Sequence, residues 1–447
     1  MIEVRGSSNV LLECVFQEED ALLAGSNANI EVSVNYRSSR DSTGEFGRTI
    51  SGDIRAGVEE INIAPGWSEP NFDAPDPSDY LSILESMDGD GTQTNPYIIT
   101  NDWELQAMQG NLSAYYVLGQ NINASGTQNW NSGEGFAPVG DSTNEFEGNF
   151  NGNGLTIKNM FINLPSEDEI GLFGHINGAF LNNVILEDID VQGNQYVAGL
   201  VGVAPSGATI NNIHVSGTIS GESYVAALSG YTWSTDIDGS SSYVTIEVQN
   251  GNSGGLVAAF ESATLTNSHS IASITSQNVG SVGGLLGWTG NSVIIGSWSS
   301  GTVIDGGWAT GGLIGYGWNF DVHNSYSTSS VSGDESVGGL IGFTDINSLI
   351  NNSWSSGLVN GNSDVGGFTS YLDGDSISNY WNTETSDQTD AVGGGSDAGI
   401  TGLTTSQMKQ QSSFTDWDFS NIWSIDEGNS YPYLQNNVPD ELPGIND

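Results

Sequence analysis

The chain has 447 residues and carries 54 Asp and Glu against 7 Lys and Arg, a formal charge of −47 at pH 7. So few cations cannot neutralise phosphate, which excludes nucleic acid and anionic membrane surfaces as partners. The single cysteine, Cys14, excludes a disulfide framework. An acidic balance of this size suits concentrated brine, where salt screens the repulsion between carboxylates. We therefore expect a halophilic source.

The N-terminal region differs in composition from the rest of the chain. Residues 1–66 hold all five arginines and three apolar, alternating runs that predict strands. We expect a small β domain there that attaches the protein to a larger assembly. The chain begins without the pattern of a signal peptide, and no stretch approaches the ~20 apolar residues of a membrane span, so we expect no membrane insertion. Residues 67–93, rich in Pro and Asp, predict a linker.

From residue 171 onward the chain is repetitive. A Gly-Leu-x-Gly phrase, loosely kept, occurs eight times at steps of 27 to 29 residues, and a second apolar phrase follows each copy about 14 residues later. Strand-only repeats of this length predict an all-β fold, a right-handed β-solenoid with one coil per repeat. We expect a cap and first coils at 94–165, the repeat solenoid at 166–378, and a C-terminal cap with an acidic tail at 379–447. The leucines of the phrase should form a ladder inside: Leu172, Leu200, Leu228, Leu256, Leu285, Leu313 and Leu340.

The chain from about residue 94 to residue 434 resembles the GLUG-motif repeat proteins, which occur in bacterial and archaeal surface adhesins and beside peptidase domains. The resemblance rests on the eight Gly-Leu-x-Gly units, on NPYIITNDWELQAMQGNLSAYYVLGQNIN before them, on FEGNFNGNGLTIKNMFIN at 146–163, and on GLTTSQMK and SYPYL after them. It implies a β-helical surface module and attaches no catalytic residue to it. We therefore expect a chain that is not an enzyme.

Aromatic residues recur at two positions after the repeat glycine. The fourth position holds Tyr231, Trp288, Tyr316, Phe343 and Tyr371, and the sixth holds Trp233 and Trp318. Stacked coils would turn these residues into a ladder along one edge. An outward ladder would bind a glycan or a protein partner, whereas an inward ladder would belong to the core. The aromatic residues of the second phrase (Tyr243, Trp298, Tyr326 and Trp354) and the histidines beside them read as packing.

Acidic residues raise two further hypotheses. Asp345 and Asp373 occupy the sixth position on adjacent coils, where carboxylates roughly 5 Å apart would suit a retaining glycosidase. The turns DGDGT and LDGDS could bind Ca²⁺ or Na⁺ through Asp88 and Asp90, or through Asp373 and Asp375. We expect no other cofactor.

These features lead to three functional hypotheses. The first is a virion protein of a haloarchaeal virus, such as a tail fibre, spike or head decoration. It would dock on other virion proteins through residues 1–66, form a homo-oligomer of three copies, and contact a glycan or S-layer of the host. The alternatives are a secreted or cell-surface adhesin of a halophile and a glycoside hydrolase built on a β-helix.

Overall fold

A computed structural model describes residues 66–205, 207–277 and 280–445, together with the backbone of two short strands near the N-terminus. The chain divides into two units, residues 1–62 and residues 63–447. In the first unit, Val4–Arg5 pairs antiparallel with Leu11–Leu12. The other strands predicted within 1–66, Cys14 and the proposed attachment surface lie outside the described residues.

The second unit is a β-solenoid of three parallel sheets, and each coil contributes to them in the same order. After the Gly-Leu pair the chain enters sheet 1, turns into sheet 2, passes through sheet 3, and reaches the next Gly-Leu pair. The strands of sheet 1 are Phe173–His175, Val201–Ala204, Ser229–Trp233, Val257–Glu261, Leu286–Gly290, Ile314–Trp318, Ile341–Thr344, Thr369–Leu372 and Val392–Gly395. The strands of sheet 3 are Gln195–Ala198, Ser223–Ala226, Ser253–Gly254, Ser281–Gly283, Ala309–Gly311, Glu335–Gly338 and Ser363–Gly366.

Sheet 2 is the largest sheet and bends within each coil. Its strands are Tyr97–Ile99, Tyr115–Leu118, Ile122–Asn123, Asn149–Asn151, Thr156–Lys158, Phe161–Asn163, Phe180–Gln192, Thr209–Gly221, Asp236–Asp238, Ser241–Val248, Thr264–Thr266, His269–Ser276, Val293–Ile295, Trp298–Asp305, Asp321–His323, Tyr326–Ser327, Ser330–Ser332, Ser348–Asn351, Trp354–Ser355, Val359–Asn360, Gly374–Ile377, Asn379–Asn382 and Ile400–Leu403. Residues one repeat apart face each other, as Val201 faces Ser229 and Ser229 faces Val257. The predicted β-solenoid of about eight coils is confirmed.

Helices occur near the two ends of this unit. The α-helices are Tyr80–Ser86, Asp102–Ala107 and Thr405–Met408, and the 3₁₀ segments are Pro77–Asp79, Met108–Gly110, Ser125–Gly133 and Gln411–Ser413. Residues 67–93 lie on the first coils, since Trp67 pairs with Asn121 and the Asn71 side chain donates to Asp102 at 2.5 Å. A short antiparallel pair, Trp423–Ser424 with Tyr433–Leu434, follows the last coil. Within the described residues, no helix has the length and apolar character that crossing a bilayer requires.

The leucine ladder is confirmed, because all seven leucines of the repeat phrase are fully buried in one continuous core. The glycine before each leucine occupies a site with little space for a side chain. A Cβ added to Gly255 would approach the Ser270 hydroxyl and the Gly284 carbonyl within 2.1 Å. Serine hydroxyls of sheet 2 also donate to the repeat-glycine carbonyls, as Ser299 does to Gly312 at 2.6 Å. Glycine therefore lets sheet 2 close onto the corner between sheets 3 and 1.

A ladder of buried serines lines the bend of sheet 2. The backbone N–H of each member donates to the hydroxyl of the next: Ser240 to Ser268, Ser268 to Ser297, Ser297 to Ser325 and Ser325 to Ser353, at 3.1–3.2 Å. The residue before each serine has positive φ and is Asn or Gly, as at Asn267, Gly296, Asn324 and Asn352. These two columns explain the Asn-Ser and Gly-Ser pairs of the second phrase, because the bend needs left-handed backbone followed by a buried hydroxyl.

Candidate functional site: an aromatic strip on sheet 1

Aromatic residues of the fourth position lie in register on the outer side of sheet 1. Trp288 faces Tyr316, and Tyr316 faces Phe343. Their side chains are half-buried, and Tyr371 at the end of the column is 37% exposed. The leucines three residues earlier point inward and are fully buried. The fourth-position aromatics therefore lie outside the solenoid core.

One ring of this surface was not predicted from the repeat positions. Trp308 lies between sheets 2 and 3, and its ring centroid is 5.2 Å from that of Tyr316 and 5.4 Å from that of Phe343. Phe343 in turn stacks on Tyr371 at 5.1 Å. We call these four residues the aromatic strip. The available signal was an aromatic residue three or four positions before the repeat glycine, which also occurs at Tyr196 and Tyr224.

Four other aromatic residues were predicted for this ladder and are not members of the strip: Tyr231, Trp233, Trp288 and Trp318. Of these, Trp288 is in register with Tyr316 on the adjacent strand. Tyr231 belongs to a separate group, with its ring 6.2 Å from Tyr196, which stacks on Tyr224 at 4.8 Å. Ala259 stands between Tyr231 and Trp288 in the column and interrupts it. Trp233 is 43% exposed, and the Trp318 indole lies over Gly290 of the preceding coil.

Carboxylates of the sixth position hydrogen-bond to tyrosines of the preceding coil. The Tyr231 hydroxyl donates to Glu261 at 3.1 Å, and the Tyr316 hydroxyl donates to Asp345 at 3.2 Å. Burial, together with the nearby Glu261 carboxylate, raises the pKa of Tyr231 to about 12. Burial and the nearby Asp345 carboxylate likewise raise the pKa of Tyr316.

The two carboxylates of the glycosidase hypothesis, Asp345 and Asp373, differ in hydrogen bonding and in exposure. Asp345 accepts from the Tyr316 hydroxyl and from the backbone N–H of Ile346, whereas Asp373 is exposed. Because Asp345 is held by two donors of its own chain, the geometry gives no support to a catalytic role for it.

The proposed cation-binding turns are exposed. The carboxylate of Asp90 accepts from the backbone N–H and the hydroxyl of Thr92, and these bonds lower its pKa. Asp88, Asp373 and Asp375 are also exposed. Across the described ranges, no three side chains of His, Cys, Asp or Glu converge as a metal site would require. Binding of Ca²⁺ or Na⁺ in these turns stays a prediction.

The second-phrase aromatics form a separate stack on sheet 2. His269, Trp298, Tyr326 and Trp354 lie in register with interplanar angles of 2–8°, and the C-terminal segment covers them. Their expected packing role agrees with this burial. Tyr243 is the exception: it lies two residues beyond this column, faces Ile271, and is 64% exposed. Its assignment to packing was wrong because Tyr243 lies on the outer side of sheet 2 and outside the cluster that the C-terminal segment covers.

Two families match parts of the chain. Residues 93–217 match the M26 IgA1-specific metallo-endopeptidase N-terminal region, and residues 306–332 match the GLUG motif. The second match spans Trp308 and Tyr316, two members of the aromatic strip.

Similar proteins come from several organisms. Halomucin of Haloquadratum walsbyi is 36% identical over 158 residues, which are 33% of this chain and 2% of halomucin. A Gly-rich membrane protein of Evansella cellulosilytica is 37% identical over 116 residues, 25% of this chain and 13% of that protein. An immunoglobulin A1 protease of Streptococcus sanguinis is 26% identical over 132 residues, 30% of this chain and 6% of the protease. This chain thus spans a small part of each relative.

A crystal structure described as that of an immunoglobulin A1 protease from Bacteroides ovatus also aligns with this chain. It is 16% identical, with a TM-score of 0.38, and the alignment covers 78% of this chain and 95% of that chain.

These matches correct the expectation that the chain is not an enzyme. Residues 93–217 match a region of a metallo-endopeptidase family, and an immunoglobulin A1 protease is among the relatives. The expectation was wrong because it rested on the GLUG resemblance, which attaches no catalytic residue to the repeats, whereas residues 93–217 also match a peptidase family. Together the matches support a GLUG-repeat, adhesin-like protein with an IgA1-protease-like segment at residues 93–217.

Proposed function

We propose that this chain is a surface-displayed, adhesin-like solenoid that presents the aromatic strip to a ligand outside the cell. The observation that carries the proposal is the strip itself, in which three rings lie on the outer side of sheet 1 and the ring of Trp308 contacts two of them. Aromatic side chains in such a position supply a large contact area with little conformational entropy to lose on binding.

The relatives support a location at the cell surface or outside the cell, since one of them is a membrane protein.

A saline habitat is supported by halomucin, which comes from an organism whose name marks it as halophilic. The formal charge of −47 agrees with the same habitat. A high net charge keeps a chain hydrated and soluble. In brine the dissolved salt screens the repulsion between its carboxylates to a range of ~3 Å at 1 M.

The narrower hypothesis, display on a haloarchaeal virion, remains a proposal supported by the acidic composition and the solenoid alone. Docking through residues 1–66, assembly as three copies and contact with a host glycan or S-layer are parts of the same proposal. Immunogold labelling of a brine culture tests the location. Label on cell envelopes supports the adhesin, whereas label confined to particles supports the virion protein.

A binding experiment tests the strip. The double variant Tyr316→Ala with Phe343→Ala should lower attachment of the purified chain to cells at least tenfold, because it removes the two central rings. Tyr243→Ala is the matched control, since Tyr243 is exposed on sheet 2, away from the strip. Equal attachment of the double variant and the control would overturn the binding role of the strip.

A further inference from the structure

The last ring of the aromatic strip has one open face. Tyr371 stacks on Phe343 with an angle of 11° between the rings, so Phe343 covers one side of it. In the following coil, the residue in register with Tyr371 is Gly394. A Cβ placed on Gly394 would lie 3.4 Å from Cδ2 of Tyr371, so this glycine borders the other side of the ring without covering it.

The Tyr371 hydroxyl also differs from the tyrosine hydroxyls earlier in the column. Tyr231 and Tyr316 each donate to a carboxylate that lies two residues beyond their register partner in the next coil. The equivalent residue after Gly394 is Ser396. Among the residues that the structure describes, no acceptor is found for the Tyr371 hydroxyl. The polar end of this ring is therefore available to a ligand.

The strand beside this ring is the outermost strand of sheet 1. Val392–Gly395 pairs with Thr369–Leu372 on one side, and no described strand pairs with its other side. Gly393 and Gly395 are exposed. An unpaired strand edge offers backbone N–H and C=O groups, and glycines allow a ligand to approach them closely.

Charge restricts the chemistry of the ligand. Beyond residue 158 the sequence holds no arginine and one lysine, Lys409. Three exposed carboxylates, Asp364, Asp373 and Asp397, lie within 30 residues of Tyr371 in the sequence. An anionic ligand would be repelled. Attraction of a cationic ligand would be weakened in brine, where salt screens exposed charges. Stacking on an aromatic face and hydrogen bonding to hydroxyls persist in brine.

We propose that Tyr371 and the edge strand Val392–Gly395 form a binding subsite for an uncharged saccharide. One pyranose ring would stack on the open face of Tyr371. Its hydroxyls would bond to the Tyr371 hydroxyl and to the backbone of the glycines. This subsite rests on the proposed function of the strip as a ligand-binding surface, and it identifies the class of ligand and the ring that the ligand contacts.

The subsite can be blocked without removing any of its groups. Gly394→Phe should continue the aromatic column and cover the open face of Tyr371, whereas Gly394→Ala adds one methyl group at a normal contact distance. We would measure binding of the full chain to immobilised neutral hexose and N-acetylhexosamine oligosaccharides, to sialylated oligosaccharides and to poly-L-lysine. Each measurement would be made in dilute and in concentrated NaCl, with thermal unfolding as a check on folding.

We expect the wild type and Gly394→Ala to bind at least one neutral oligosaccharide at both salt concentrations. Gly394→Phe and Tyr371→Ala should lose at least tenfold in affinity, and Tyr243→Ala should lose none. Absence of neutral-glycan binding by the wild type would overturn the proposal, as would full binding by a folded Gly394→Phe. Binding to poly-L-lysine alone, lost in concentrated salt, would overturn the saccharide proposal and indicate a cationic peptide as the ligand.

The subsite and the proposed function can fail separately. Loss of binding in the Tyr316→Ala and Phe343→Ala double variant, with full binding in Tyr371→Ala, would overturn the subsite and leave the strip as the binding surface. Unchanged binding in all of these variants would overturn both the subsite and the proposed function of the strip.

Discussion

The side-chain oxygen of Asn437 lies 2.8 Å from Nδ1 of His269, a residue 168 positions earlier in the chain. The Asn437 amide nitrogen donates to the carbonyl oxygens of Ser268 and Gly296, at 3.1 and 3.0 Å. Its backbone carbonyl accepts from the Trp298 indole at 3.0 Å. Because both amide hydrogens of Asn437 are donated, its side-chain oxygen accepts, and His269 carries its proton on Nδ1. One residue thus ties the C-terminal segment to two neighbouring coils.

The first prediction concerns this tie. Asn437→Ala should lower the free energy of unfolding by about 2 kcal/mol. It removes the side-chain donor to the Gly296 carbonyl and the acceptor of the His269 Nδ1 proton, whereas the Ser268 carbonyl keeps the Trp298 N–H as a donor. It should also shift the tryptophan emission to longer wavelength as water reaches Trp298. Denaturant unfolding followed by fluorescence checks both effects. The neighbouring Asn436 is exposed, so Asn436→Ala is the control. Identical curves for the two variants would show that Asn437 contributes nothing to the tie.

A buried carboxyl group should make stability depend on pH. Asp305 ends a strand of sheet 2, and burial raises its pKa to about 6, against hydrogen bonds from Ser276, Gly307 and Thr310. The folded chain therefore holds this proton more tightly than the unfolded chain does, for which the pKa is about 3.8. The favourable contribution should be complete below about pH 4 and should be lost as the pH rises through about 6.

Asp305→Asn should remove this pH dependence and stabilise the chain at pH 7 by about 2 kcal/mol. A pKa raised from 3.8 to about 6 corresponds to ~3 kcal/mol, from which the lost hydrogen bonds subtract. Thermal unfolding between pH 4 and pH 8 measures the difference. Asp364→Asn is the control because Asp364 is exposed. A profile for Asp305→Asn that parallels the wild type would contradict the assignment.

The pair of Tyr231 and Glu261 gives a spectroscopic prediction. Glu261→Gln keeps a hydrogen-bond acceptor and removes the charge, so the pKa of Tyr231 should fall from about 12 while burial still holds it above its usual range. Ultraviolet titration of tyrosinate measures this shift, and the Tyr231→Phe variant identifies the component that belongs to Tyr231. Glu247→Gln, at an exposed site on sheet 2, should leave the titration unchanged. A pKa that stays near 12 in Glu261→Gln would assign the whole shift to burial.

The serine ladder should contribute to stability at each coil. Ser297 is fully buried, accepts from the Ser268 N–H at 3.2 Å and donates to the Ile295 carbonyl at 3.0 Å. Ser297→Ala should cost about 1–3 kcal/mol, because the buried N–H of Ser268 loses its acceptor. Ser300→Ala, at a half-buried position in the strand that begins just after Ser297, should change stability by less than about 0.5 kcal/mol. Comparable losses in the two variants would contradict the ladder. Urea unfolding in concentrated NaCl compares them.

Much of the coil could be predicted from its repeats. In a stack of coils, residues one period apart occupy the same place, so a leucine recurring after each glycine predicts a buried ladder. The same periodicity placed Trp288, Tyr316 and Phe343 on one column, in the register that the structure shows. The Asn-Ser and Gly-Ser pairs were visible as well, although their division into a left-handed bend and a buried hydroxyl became clear only with the backbone angles.

The remaining parts of the site depend on contacts between positions that follow no common period. Trp308 joins the strip from the corner between sheets 2 and 3, and Tyr243 is exposed because the C-terminal segment does not cover it. The IgA1-protease-like segment at residues 93–217 begins before the repeats and includes the first two of them, so its similarity to a peptidase family does not follow from the repeat period.

The sequence by itself determined the coil length, the inward leucines and the positions of the bends. These properties follow from local backbone preference and from the hydrophobic pattern, which recur in every coil. The tertiary structure alone decided which aromatic columns stay open. Asn437 and the C-terminal segment cover the stack from His269 to Trp354, whereas the strip ending at Tyr371 remains exposed. That choice depends on long-range contacts of the C-terminal segment, each made once, and a contact made once leaves no repeat in the sequence.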